Sequence, residues 1–128
     1  MPGELPKPTE AELEILTVLW SIGPSTVRSV YEAITRRRPA QYSTILKFMQ
    51  IMAEKGLVLR DETQRAHVYR TARPREWTQK QLAGDLLERA FNGSAKALLL
   101  GALSARKASK QDLSELRKLL DDYEGTKK

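Results

Sequence analysis

The sequence predicts a mainly α-helical fold that contains one small β-hairpin. Three amphipathic segments lie within the first 56 of the 128 residues, two β-rich segments joined by a polar turn follow them, and three leucine-rich helical segments complete the chain. This order of three helices and a hairpin is typical of a winged helix-turn-helix, in which the third helix enters the DNA major groove. We therefore expect a winged helix-turn-helix followed by a C-terminal helical dimerisation region.

The first helix is predicted over residues 9–23. Thr9 and Glu12 have the spacing of a capping box, in which the two side chains satisfy backbone N–H groups of the first turn. Gly23 and Pro24 end the segment. Between these signals, apolar residues recur at helical spacing and predict a broad buried face: Leu13, Ile15, Leu16, Val18, Leu19, Trp20 and Ile22.

The second helix is predicted to begin at Ser25 and Thr26, whose hydroxyl groups are suited to cap it. It ends at the basic triplet 36–38, which complements the negative end of the helix dipole, and at Pro39, which prevents continuation. Backbone N–H groups at the start of a helix also favour an anion, so we expect Ser25 and Thr26 to lie near a DNA phosphate. Its predicted buried stripe is Val27, Val30, Tyr31 and Ile34.

The third helix is predicted over about Tyr42 to Lys55, with Gly56 as its stop. Its predicted core face is Ile45, Phe48, Met49 and Met52. The opposite face and the first turns carry the residue types that bind phosphates or base edges, and these are the candidate DNA-reading residues: Gln41, Tyr42, Ser43, Thr44 and Lys47. The alternative is that they form only a polar outer face and an N-cap.

A hairpin is predicted from strands over residues 57–60 and 66–71, joined by a polar turn over residues 61–65. We expect Arg65, in the turn, and His67, in the second strand, to face DNA. The single histidine has no neighbours with catalytic or metal-ligand spacing. Arginines recur at every fifth position of the hairpin, which suits phosphate contact: Arg60, Arg65 and Arg70.

A break at residues 72–74 divides the chain into a winged helix-turn-helix domain, 1–73, and a helical dimerisation domain, 74–128. The predicted helices of the second domain are 75–91, 94–104 and one that begins at Ser109. A segment of this length is too short to build a generous core alone, so we expect a second copy of the chain to cover its leucines. The alternative is that they fold back on the first domain. The predicted dimerisation residues are Leu86, Leu98, Leu99, Leu103, Leu113, Leu116 and Leu120.

Charge favours an anionic partner. The chain has 22 basic and 16 acidic residues, a formal charge of +6. Residues 28–73 carry ten basic against four acidic side chains, net +6, whereas residues 1–27 carry one against four, net −3. The predicted reading helix and wing thus lie in the basic third of the chain, although excess basic residues also serve solubility alone.

Several classes of protein are excluded or disfavoured. The absence of cysteine excludes disulfides, thiolate nucleophiles and cysteine-based metal sites, and no glycine-rich phosphate loop or catalytic constellation is present. We therefore expect neither an enzyme nor a protein with a cofactor or metal. No apolar run is long enough to cross a membrane, and the N-terminus lacks the pattern of a secretory signal, so we expect no membrane insertion and a cytoplasmic location.

The chain resembles the penicillinase-repressor family, the BlaI/MecI type of bacterial transcriptional regulators, which includes copper-responsive relatives of the CopY type. The resemblance runs from about Pro8 to Glu124. It is carried by Thr9 to Leu16 with Leu19-Trp20, Ser25-Thr26-Val27, Ser43-Thr44-Ile45, Glu54 to Val58, Arg65 to Tyr69 and Phe91 to Ser94. It implies a homodimer that binds an inverted-repeat operator on double-stranded DNA and represses transcription, with Ser43, Thr44 and Lys47 reading the groove and Arg65 serving the wing.

The sequence departs from two subgroups of the family. Antibiotic-responsive members lose repression through a cut at an Asn-Phe pair, and Gly101 and Ala102 stand at the matching position. Copper-responsive members carry a cysteine cluster near the C-terminus, which this chain lacks. The sequence therefore leaves open which signal induces the response and whether a membrane sensor or a protease is a further partner. The alternative function is a winged-helix interaction module whose basic face docks on an acidic protein.

Overall fold

The computed structural model describes residues 7–126 of the chain. They form two compact units, of which the first ends at Leu82 and the second begins at Ala83. The sequence placed the division at residues 73 and 74. In the structure the first turns of the fourth helix belong to the first unit, where Thr78 is buried and the Arg75 guanidinium lies 6.0 Å from the centre of the Trp20 ring.

Three helices form most of the first unit: α1 (Glu10–Ile22), α2 (Val27–Thr35) and α3 (Tyr42–Lys55). The predicted capping box is present, since the Thr9 N–H donates to Oε1 of Glu12 at 2.9 Å and the Glu12 N–H donates to Oγ1 of Thr9 at 3.2 Å. Gly56 ends α3 at φ 83°, a left-handed conformation that glycine adopts without strain. The helix order predicted from the sequence is confirmed.

A small antiparallel sheet completes the unit, with strands β1 (Ser25–Thr26), β2 (Val58–Asp61) and β3 (Val68–Thr71) in the order β1-β3-β2. The sequence predicted only the hairpin of β2 and β3. The chain enters α2 in an extended conformation, and this short stretch pairs with the free edge of β3, Ser25 opposite Tyr69. Ser25 is thus a strand residue, and Thr26 alone caps α2 by accepting the Ser29 N–H.

The hairpin is shorter on its second strand than the sequence suggested. The ladder ends where Asp61 pairs with Val68, so residues 62–67 form an exposed loop. The prediction that His67 lies within the second strand is therefore wrong, and His67 belongs to the loop that precedes β3. Asp61 stabilises the start of this loop, because its Oδ1 accepts hydrogen bonds from the Thr63 N–H at 2.9 Å and from the Thr63 hydroxyl at 2.7 Å.

The core of the first unit lies between the three helices and one face of the sheet. Tyr69, at the centre of the sheet, is 1% exposed and is among its largest fully buried side chains. Phe48, which the sequence assigned to the core face of α3, is only partly buried and packs at the edge of the core. The buried apolar residues are Ile15, Leu16, Val18, Leu19, Val27, Val30, Ile34, Ile45, Met49, Met52, Leu57, Val58 and Tyr69.

The remaining helices are α4 (Arg75–Ala90), which begins in the first unit, α5 (Ala95–Ala105) and α6 (Lys110–Thr126). A tight turn joins α4 to α5, with Asn92 at φ 50° and Gly93 at φ 81°. Within residues 83–125 no side chain is fully buried. The predicted helices are confirmed, and their leucines do not form a closed core within one chain.

Candidate nucleic-acid interface

Helix α3 divides into a buried and an exposed face. Ile45, Met49 and Met52 are at most 2% exposed and fix the helix against the core. The other face presents the side chains that the sequence singled out, and all of them are exposed: Gln41, Tyr42, Ser43, Thr44 and Lys47. Gln41 is the N-cap and makes no side-chain capping bond, so its amide is not committed to the helix start. This face is therefore polar and open along the first two turns.

Tyr42 is held by two residues of α2. Its ring meets that of Tyr31 edge to face at 5.6 Å, and the guanidinium of Arg28 lies 5.6 Å from its centre. Tyr42 is nevertheless 41% exposed. The contact fixes the start of α3 against α2 and places the charge of Arg28 beside the reading face.

A shallow cleft of about 450 Å³ runs along this face, and apolar atoms line part of it. Its lining residues are Ser43, Thr44, Lys47, Phe48 and Ile51. The partly exposed Phe48 therefore forms an apolar wall of this cleft, beside the hydroxyl groups of Ser43 and Thr44 and the ammonium group of Lys47. Apolar and polar side chains in this combination suit contact with both the methyl group and the polar edge of a base.

The start of α2 separates the two hydroxyl residues that the sequence grouped together. Thr26 is partly exposed, and its Oγ1 accepts the Ser29 N–H at 3.1 Å. Ser25 is 8% exposed and donates its hydroxyl to the carbonyl oxygen of Gly23 at 2.7 Å. Thr26 thus lies at the surface beside α3, whereas the Ser25 side chain is occupied within the fold.

The wing, which consists of β2, β3 and the loop of residues 62–67 between them, meets α2 and α3 at a second cleft of about 300 Å³. Arg65 and His67 are both exposed in the loop, as expected for residues that face outward. Within the described part of the chain, the exposed Arg65 side chain forms no ion pair or hydrogen bond, so its charge is available to a ligand. The polar lining of the cleft includes Thr26, Arg28, Gln50, Arg60, Arg65 and His67.

Two charged groups of the wing are held by neighbours. Contacts with the Tyr69 side chain and the Glu62 carboxylate raise the pKa of Arg60 above its ordinary value, so it is a permanent cation. Hydrogen bonds from the side chain and the backbone of Thr63 lower the pKa of Asp61. Strand β2 of the wing therefore carries charges of both signs at neutral pH.

Arg28 is the member of this surface that sequence reasoning missed. It lies in the first turn of α2, where a positive charge is unfavourable beside the helix dipole, and that turn contains no acidic residue to offset it. A cation at this unfavourable position is a sequence signal that could have identified Arg28 as a functional residue. The pairing of β1 with β3, which brings the start of α2 to the wing, had no comparable signal because the strand has only two residues.

The described residues also bear on metal binding and on membrane insertion. Among residues 7–126 there is no group of three histidine, aspartate or glutamate side chains placed to hold a metal ion. None of the helices in this range is both long and apolar enough to span a membrane. The exposed groups are cations, hydroxyls and amides, which suit hydrogen bonding to an anionic polymer.

The helix order, the three-stranded sheet and the exposed first turns of α3 define a winged helix-turn-helix protein. A family model described as penicillinase repressor matches residues 8–122. The chain is 34% identical to the transcriptional regulator BlaI of two Mycobacterium tuberculosis strains over 117 residues, 90% of this chain and 83% of the relative. It is 22% identical to the penicillinase repressor of Bacillus licheniformis over 125 residues, 98% of each chain. The chain belongs to the penicillinase repressor family, a family of transcriptional repressors rather than of enzymes.

Proposed function

We propose that this chain represses transcription in the cytoplasm by binding an inverted-repeat DNA operator as a homodimer. One observation carries the proposal: the exposed polar start of α3 lies beside a cleft to which Arg28, Arg60 and Arg65 all contribute. A reading helix flanked by phosphate-binding cations has both parts that sequence-specific DNA binding needs.

The two parts have different roles. Thr44 and Lys47 lie on the exposed face of α3 and would contact base edges, with Ser43 beside them. Arg28 and Arg65, which line the same cleft beside α3, would contact backbone phosphates and so position α3. Docking on a protein is less well supported, because Tyr42 is the only large apolar side chain on α3 that is strongly exposed in the described structure, and protein interfaces are centred on aromatic and apolar groups.

The homodimer is supported by the leucines of the C-terminal helices. Leu86, Leu100 and Leu120 are 48%, 56% and 56% exposed in a single chain. A second copy would cover this surface and present two reading helices to the two halves of an inverted repeat. Leu103, which is also exposed, and partly covered leucines of the same helices would complete the interface: Leu98, Leu99, Leu113 and Leu116.

Retention of genomic fragments tests this function. The full-length protein is immobilised at about physiological salt, fragments of the source genome are passed over it, and the retained DNA is sequenced. Recovery of a shared inverted repeat upstream of genes supports the proposal. Uniform recovery of the genome, at the level retained by the matrix alone or by a generic basic protein, contradicts it. The affinity for the recovered repeat must also fall steeply with salt, because several phosphates are neutralised.

A further inference from the structure

Ile51 is an apolar residue on the polar side of α3. Thr44, Lys47 and Ile51 follow one another at spacings of three and four residues, so they form one stripe along the helix. The buried residues of α3 lie on another side of the helix. Ile51 is therefore not directed at the core, and its side chain stays partly exposed.

The packing of the first unit does not account for this isoleucine. Phe48 and Ile51 together form the apolar part of the cleft along α3. Phe48 also packs against the buried core, whereas Ile51 is not among the partly buried apolar residues that do so in the described structure. A single exposed apolar side chain is common on protein surfaces. Ile51, however, adjoins a second apolar side chain and three hydrogen-bonding side chains within one cleft.

The groups around this apolar wall suit a base edge as its occupant. The hydroxyl groups of Ser43 and Thr44 and the ammonium group of Lys47 border it. An apolar protein segment in the cleft would remove these groups from water without giving them hydrogen-bond partners, which costs free energy. The major groove presents polar base edges and one kind of apolar group, the 5-methyl group of thymine.

We propose that Ile51, together with Phe48, is a specificity-determining residue that packs on the 5-methyl group of a thymine in each operator half-site. The inference rests on the proposed function, because it requires α3 to lie in the major groove. Thymine carries its O4 acceptor next to the methyl group, within reach of a donor such as Lys47 in the same cleft. Cytosine has a hydrogen atom and an amino donor at these two places, so it would lose both contacts.

Replacement of thymine by deoxyuridine tests the methyl contact, because uracil lacks only the methyl group. Full-length wild type is titrated by fluorescence anisotropy against the recovered inverted repeat. It is also titrated against duplexes in which one pair of symmetry-related thymines, one in each half-site, is replaced by deoxyuridine. At one such pair we expect affinity to fall about fourfold for each half-site, or about sixteenfold in total, as for the lost burial of one methyl group in each.

Variants of the protein on the same duplexes assign the contact to Ile51. Ile51→Ala should reduce the ratio of the two affinities from about sixteenfold to less than about fourfold, because most of the apolar surface that meets the methyl group is removed. Ile51→Val should retain most of the ratio. Ile22→Ala truncates the same type of side chain at a 50% exposed position at the end of α1 and should keep the wild-type ratio.

The outcomes separate a reading role from a structural one. If Ile51→Ala weakened binding to both duplexes by the same factor and kept the wild-type ratio, Ile51 would support only the fold of α3, and the inference would be overturned. A recovered repeat in which no thymine is sensitive to loss of its methyl group would overturn it as well. A wild-type protein that retains no inverted repeat would instead overturn the proposed function.

Discussion

The ammonium group of Lys55, the last residue of α3, donates to both carboxylate oxygens of Glu12 on α1, at 3.1 and 2.8 Å. Glu12 is 2% exposed and also accepts the Thr9 N–H in the capping box. One buried carboxylate thus joins the start of α1 to the end of α3. The interaction helps to fix the orientation of the helix whose other end carries the reading residues.

Loss of Lys55 should therefore destabilise the first unit. Lys55→Ala leaves the Glu12 carboxylate buried without a cation, and we expect a loss of about 2 kcal/mol in the free energy of unfolding. This is less than for a fully buried pair, because the Lys55 side chain is 32% exposed and water screens it. Urea unfolding followed by tryptophan fluorescence measures the change. Lys47→Ala, an exposed position on the same helix, should change stability by less than about 0.5 kcal/mol; equal losses in both variants would contradict the role of the pair.

Stability should fall in acid. Burial alone would raise the pKa of Glu12, but hydrogen bonds from Lys55 and Thr9 outweigh it and lower the pKa below the ordinary value of 4.5. Hydrogen bonds from Arg38 lower the pKa of Glu14 likewise. Because the unfolded carboxyl groups protonate first, this stabilisation is fully present above pH 4.5 and is lost as pH falls through the lower native pKa values.

The variant Glu14→Gln tests this dependence. Unfolding free energies measured between neutral pH and about pH 3 should fall less steeply for Glu14→Gln than for wild type. Glu10→Gln, at an exposed position of the same helix, removes the same charge and is the matched control. A Glu14→Gln profile that parallels wild type would show that the contact with Arg38 does not stabilise the ionised form.

Arg65 should contribute affinity without sequence preference. Arg65→Ala removes one proposed phosphate contact, so binding to the recovered repeat and to a scrambled duplex should weaken by the same factor. The salt slope should become shallower by about 0.9 in a titration followed by anisotropy. Gln64→Ala changes the neighbouring exposed loop residue without altering charge and should leave both affinities unchanged. A loss confined to the repeat would instead assign Arg65 to base recognition.

The dimer should depend on the exposed leucines. Leu120 is 56% exposed in the single chain, so Leu120→Glu costs the isolated fold little but would place a charge within the proposed interface. The variant should keep the helix content of wild type but sediment as a monomer in a sedimentation velocity experiment. Its affinity for the inverted repeat should fall because the second half-site is lost. Lys118→Glu, at an exposed position on the same helix, should remain a dimer. A dimeric Leu120→Glu protein would show that α6 has another role.

Much of the fold was predictable because its signals are local. The Thr9–Glu12 capping box, the glycine stop at Gly56 and the apolar period of α3 each depend on residues within a few positions of one another, and all three are confirmed. The edges of the sheet were not predictable in the same way. Strand β1 exists only because the chain passes beside β3, and the position of His67 depends on where that ladder ends.

The candidate site was predictable in composition but not in arrangement. An amphipathic period shows that Ser43 and Lys47 face away from the core, as the structure confirms. The pairing of Arg28 with Tyr42 depends on the packing of α2 against α3, and the pairing of Arg60 with Glu62 depends on side-chain direction. The burial of Ser25 follows from a strand of two residues, which no periodicity reveals.

Selection from a pool of random-sequence duplexes by the full-length protein tests the central claim most directly, with Lys47→Ala selected in parallel. Wild type should enrich an inverted repeat whose half-sites lie about one helical turn apart, or a multiple of it. Lys47→Ala should enrich the same repeat with preference relaxed at one position in each half, as expected for a lost contact of about 1–3 kcal/mol. A pool without any enriched repeat, or an identical motif for wild type and Lys47→Ala, would contradict the assignment of α3 as the reading helix.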